Sequence, residues 1–190
     1  MIPDLRRAVQ VAQSGTPWDA KVWIIGRTYA AAIERRHNRT TLNDEFYIKT
    51  VGPTIVRSKI DSWLAHARRY HQPNDESFAT LMKVHYQVMQ LFNAISGLNK
   101  RALASKYLHF HIPNLFYIYD NRAVAAMRQL ATIVAGVNGE IKAADKEYWR
   151  FASKCLRLQK HVQHQFGVCL TPRQLDNLLL ALPIHPAKRQ

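Results

Sequence analysis

The residues of this chain best placed to do chemistry fall in one short stretch: the amines of Lys100 and Lys106 and the carboxylate of Asp120. A lysine amine can attack carbon once its pKa is lowered, and a carboxylate can prime it. Each residue also has a plainer use. Asp120, just before Asn-Arg-Ala-Val, is a good helix N-cap. Lys100 opens a helix, where it suits solvation or contact with a phosphate. Lys106 lies deeper in that helix, placed to pair with a carboxylate or to face a pocket. Elsewhere, His161 and His164 with Cys169 suggest a metal site only superficially, because no fourth ligand stands at a suitable spacing. The chain contains no glycine-rich phosphate loop, no Gly-x-Ser-x-Gly elbow and no His-Glu-x-x-His. No metal and no cofactor are expected.

Charge is the strongest compositional signal. Twenty-seven Lys and Arg against 13 Asp and Glu give a formal charge of +14. So large an excess opposes compaction by self-repulsion, which points to an anionic partner. The cations are spread along the chain, at Arg35 and Arg36, Arg57 and Lys59, Arg68 and Arg69, Lys100 and Arg101, and from residue 142 to 160. Several such clusters with few acids between them are most economically explained by phosphate contact. Nucleic acid, duplex DNA first, is the expected partner, with an acidic protein as the competing one. A membrane partner is not expected.

These residues must be carried by helices. With 190 residues and 47% hydrophobic composition the chain can bury one sizeable core, and apolar positions recur at three- and four-residue steps. The pattern predicts an all-α fold of about eight helices in a single domain over 1–190. Helices are expected at 17–36, from 44 to before Gly52, and at 53–70, 74–95, 100–111, 120–135, 141–166 and from 172 onward. Residues 114–119, aromatic and β-branched, read as a buried extended connector. No apolar run reaches the roughly 20 residues that span a bilayer. No secretory leader is evident, and Cys155 and Cys169 read as reduced thiols. Cytoplasm is the expected compartment.

The stretch Gly97-Leu-Asn-Lys-Arg-Ala-Leu-Ala-Ser-Lys-Tyr-Leu-His-Phe-His-Ile-Pro-Asn-Leu-Phe-Tyr-Ile-Tyr-Asp120 runs from a helix end through a tight turn and a short helix to an extended segment and an Asp. It resembles the helix-hairpin-helix and following Asp of the HhH-GPD DNA glycosylase superfamily. It also looks like small bacterial proteins with an 8-oxoguanine-glycosylase-like fold. The resemblance covers residues 80 to 135. It implies that backbone N–H groups at Gly97 and Asn99, with Lys100, Arg101, Arg122 and the outlying Arg68, Arg69, Arg35 and Arg36, hold DNA. It implies further that a flipped base stacks on Tyr107, Tyr117 or Tyr119, and that Asp120 with Lys100 or Lys106 works on the sugar C1′. Two departures mark the hairpin as degenerate. Asn99 replaces the second glycine, and Ile118-Tyr-Asp-Asn-Arg122 replaces the family's Val-Asp-x-His.

The resulting expectation is a DNA-binding protein that removes or inspects a base, with a core at 80–135 and basic helices at 140–182. Two alternatives stay open: a non-catalytic nucleic-acid-binding module, and a basic adaptor in a bacterial defence or mobile-element system.

Overall fold

In a computed structural model of the chain, residues 22, 24–26, 28, 31–33, 46–134 and 144–183 are described. A π-helical turn, Tyr47–Val51, leads into seven α-helices: α1 Gly52–Val56, α2 Ile60–Ala67, α3 Asp75–Ser96, α4 Arg101–His111, α5 Asn121–Gln129, α6 Lys146–Phe166 and α7 Pro172–Ala181. No strand occurs among the described residues. The expected all-α architecture is the observed one.

The longest helices begin and end where side-chain chemistry says they should. Asn74 caps α3 by accepting the Ser77 N–H at 2.8 Å, and Ser77 Oγ in turn accepts the Asn74 N–H at 2.9 Å. Asp75 and Glu76 sit in that first turn, next to the positive end of the helix dipole. Gly97, at φ 68°, closes α3 in the left-handed region that glycine enters without penalty. Thr171 and Gln174 form the same reciprocal box at the start of α7, with Pro172 in its first turn.

Four expected helices are shorter than their periodicity suggests, the one over 141–166 beginning only at Lys146 after its Asp145 cap, and a fifth continues past its expected end. Residues 53–70 are two helices, because Ser58 Oγ bonds the Ile55 carbonyl at 2.6 Å and accepts the Ile60 N–H at 3.2 Å. A side chain competing for backbone partners interrupts the ladder there. The helix after Asp120 stops at Gln129, where Leu130, Ala131 and Ile133 bond three residues back. Thr132, Ile133 and Val134 are poor helix formers. The helix expected over 17–36 has left helical geometry by residue 31, where the Ala31 N–H reaches the Gly26 carbonyl at 2.8 Å. A Cβ at Gly26 would come within 2.8 Å of Ala32 Cα, so the fold-back needs glycine. Conversely, Gly52 ends nothing: the π-helical turn passes straight into α1.

The core is built from α3, α4 and α6, with Phe92, Leu103, Tyr107 and Tyr148 among its largest buried side chains. Each such side chain contributes about 1.5–3 kcal/mol relative to exposure. The connector between α4 and α5 runs through this core, with Leu115, Phe116, Tyr117 and Ile118 buried. Its backbone has no ladder partner, so side chains serve it. His109 donates to the Phe116 carbonyl at 2.8 Å, Tyr148 OH to the Tyr117 carbonyl at 3.0 Å, and the Tyr119 N–H to Ser105 Oγ at 3.0 Å. The extended aromatic stretch expected at 114–119 is therefore held by α4 and α6.

Candidate functional site

The hairpin between α3 and α4 places the first group of expected residues. Gly97 caps α3, and Asn99 Oδ1 accepts from Asn93 Nδ2 at 2.8 Å, which pins the turn to the helix it leaves. Lys100 is the N-cap position of α4, and its Nζ donates to the Ala32 carbonyl at 3.4 Å. Arg101 turns inward. Its Nε and Nη2 bond the two oxygens of Asp145 at 2.5 and 2.8 Å, and its guanidinium lies 5.4 Å from the centre of the Tyr119 ring. Asp145 also caps α6 by accepting the Tyr148 N–H at 2.7 Å.

That pair is largely removed from water: the Asp145 side chain is 7% exposed and that of Arg101 25%. Burial pushes the Asp145 carboxyl up. The Arg101 and Tyr148 hydrogen bonds and the Arg101 charge more than offset this and leave it below its ordinary value. The Arg101 guanidinium is raised in turn, first by its hydrogen bond to Asp145. Behind the pair sits His85, fully buried and stacked on Tyr148 at 3.5 Å between ring centres. A carbonyl only accepts, so the 3.4 Å contact with the Arg101 carbonyl puts the proton on His85 Nε2. Burial lowers the His85 pKa to about 3 and keeps the ring neutral.

A second charged group gathers around Lys106. Asp120 caps α5 by accepting the Ala123 N–H at 2.8 Å. Lys106 on α4 is 7% exposed and Asp176 on α7 is 5% exposed. Burial lowers the Lys106 amine, with Asp120 and then Asp176 pulling the other way. Burial likewise raises Asp176, and Asp120 adds to the rise while Arg173 and Lys106 oppose it. Arg173 Nη1 reaches Asp176 Oδ2 at 3.2 Å, whereas Asp176 Oδ1 is buried with no hydrogen-bond partner among the described residues. The fold thus brings Lys106, not Lys100, into the electrostatic neighbourhood of Asp120.

The remaining expected residues scatter. Tyr107 and Tyr117 are core residues at 0% and 2% exposure, so no base reaches either ring without opening the core. Burial pushes both phenols up. Tyr119 is half-buried against Phe151 and Arg101. Arg122 is exposed and donates to the Leu180 carbonyl at 2.8 Å, clamping α5 to α7. Arg68 and Arg69 are exposed at the end of α2. Arg35 and Arg36 lie outside the described residues. His161, His164 and Cys169 make no metal cluster among those described.

The surface of the described residues includes two grooves of note. One, of about 560 Å³, lies between the start of α3, the end of α6 and the start of α7, over Pro73, Leu156 and Leu170. The other, of about 390 Å³, separates α2 from α3, with Trp63, His66 and Lys83 on its walls. Neither is lined by Asp120 or Lys106.

Sequence reasoning missed Asp145, Asp176 and the groove beside Trp63. Asp145, directly before the basic amphipathic run, carries a readable N-cap signal. Its partner stands 44 positions away and has no local trace. Asp176 lies between the apolar Leu175 and Leu179, where a carboxylate gives no sign of which buried group it faces. Compared with known protein families, curated proteins and solved structures, the chain matches none.

Proposed function

We propose that the protein binds nucleic acid, duplex DNA first, by phosphate contacts from exposed cations. One observation carries the reading: a chain of charge +14 draws four of its seven described carboxylates into ion pairs with its own cations while many other cations face water. Asp75 pairs with Lys160, Asp145 with Arg101, Glu147 with Arg150 and Asp176 with Arg173. Arg57, Lys59, Arg68, Arg69 and Lys83 stand exposed around α2 and the face of α3 beside it. Phosphate neutralisation relieves the repulsion among them and releases counterions from the DNA. The test is the salt dependence of duplex binding. A log–log slope of several units supports phosphate contact, and a flat line rejects it.

A second reading rests on Lys106. Its amine is lowered by burial and stands in the field of Asp120, the pairing that glycosylase-lyase chemistry requires of the resemblance to that superfamily. The unprotonated amine would attack the sugar C1′ as the base leaves with the bonding pair and takes up a proton. The attached nitrogen then loses a proton and its lone pair opens the C1′–O4′ bond, O4′ taking up a proton, which gives a protonated imine reducible by borohydride. Trapping on duplexes carrying oxidised bases, with Lys106→Met and Asp120→Asn as controls, tests it alongside base release. Neither adduct nor released base would end the catalytic reading and leave the binding reading untouched.

A further inference from the structure

The groove between α2 and α3 sets an indole among polar and basic side chains. Ser62 and the adjacent Trp63 stand one turn before His66 on α2, and Thr80, Lys83 and Gln87 lie at successive turns of α3. Hydroxyl, indole, imidazole, ammonium and amide groups thus line one cleft, with Val84 beneath and no carboxylate among its walls. Trp63 is half-buried: it packs against the core and still presents surface to the groove. Its side chain is therefore held in place before any ligand arrives. Ser62 Oγ donates to the Lys59 carbonyl at 2.8 Å, and Thr80 Oγ1 meets Tyr70 OH at 3.4 Å, which fixes a polar group on each wall.

We infer that this groove is a subsite for an unpaired nucleotide of a nucleic-acid strand, the base stacking on Trp63 and the phosphate lying against Lys83 and His66. The inference rests on the nucleic-acid reading and says where a base is held. Its volume of about 390 Å³ falls within the roughly 300–1,000 Å³ of ligand clefts, at the small end that suits one nucleotide. An indole offers every base a stacking face, while Ser62, Thr80 and Gln87 offer donors and acceptors to its edge. The strand on either side of that nucleotide meets cations already in place, because Arg57 and Lys59 precede α2 and Arg68 and Arg69 follow it.

The test uses the full chain with a thymine-rich deoxyoligonucleotide carrying 5-iodouracil, photocrosslinked and mapped by peptide mass. The crosslink is expected on Trp63 or on the α3 peptide that contains Lys83. Trp63→Ala is expected to weaken binding about fivefold to a hundredfold, the effect of removing one stacking platform. Trp63→Phe, which keeps a ring, and Lys83→Ala, at an exposed position, guard against simple misfolding. Trp63→Phe should bind within a fewfold of the native chain and Lys83→Ala several-fold more weakly. A crosslink elsewhere, or native affinity in Lys83→Ala and Trp63→Ala alike, overturns the subsite while nucleic-acid binding stands. Absence of any salt-sensitive binding to either single strand or duplex overturns both.

Discussion

The turn between α3 and α4 and the groove between α2 and α3 are both basic, and they use their cations in opposite ways. At the turn, Arg101 is locked to Asp145 in a largely dry setting and Lys100 reaches back to the Ala32 carbonyl. Around the groove, Arg57, Lys59, Arg68, Arg69 and Lys83 project into water. A cation held inside the fold contributes to stability and has little charge left for a ligand. A hydrated one contributes almost nothing to stability and remains available to phosphate. Changes at the turn should therefore be read in unfolding, and changes near the groove in binding.

The largest expected effect is on the buried pair. Asp145→Ala leaves the Arg101 guanidinium without its partner and should cost about 3–5 kcal/mol in a urea melt, with DNA affinity of the folded fraction little changed. A loss under about 1 kcal/mol would break the comparison. Next comes acid sensitivity. The folded pKa of His85 is about 3 against an ordinary value of 6.5, so the unfolded chain binds the extra proton between those values and stability falls as pH drops through 6.5. Between pH 6.5 and 5 this amounts to on the order of 2 kcal/mol, and His109, also lowered by burial, adds in the same direction. Asp145 is lowered as well, from a more acidic ordinary value. Its contribution is complete above its ordinary value of 3.8 and is lost only below it, in a separate, more acidic window. A melt unchanged between about pH 7 and 5 would contradict the buried neutral histidines.

Smaller effects sharpen the contrast. Asp120→Ala removes the side chain that caps α5 and should cost about 1 kcal/mol. If Asp120→Ala instead leaves stability intact, its hydrogen bond to Ala123 is not a structural anchor. The smallest change in stability belongs to Arg68→Gln and Arg69→Gln, each within about 0.5 kcal/mol of the native chain in the same melt.

How much of this could be read from the chain alone depended on distance in sequence. Helix ends set by a residue and its near neighbours were legible: Asn74 with Ser77, Thr171 with Pro172, Asp120 before α5, and Gly97 at the turn. So was the buried connector at 114–119, from its aromatic and β-branched content. The break at Ser58 was not, because apolar periodicity continues across it while a hydroxyl takes the backbone partners. Site residues fared less evenly. Asp120 and Lys106 stand 14 positions apart and do fall into one electrostatic neighbourhood, but the third member, Asp176, comes from α7. Arg101 looked like a phosphate contact because Asp145, 44 positions later, is invisible to any local pattern. The groove beside Trp63 arises from two helices whose separate sequences read only as amphipathic.

The most direct test of nucleic-acid binding through exposed cations is the slope of log affinity against log salt for duplex DNA. It should be measured for the native chain and for a variant with Arg57, Lys59, Arg68 and Arg69 all changed to Gln. Every phosphate that is no longer neutralised makes the slope shallower by about 0.9, so the variant should fall short of the native slope by up to about 3.6. An unchanged slope in a variant that melts like the native chain would contradict the account.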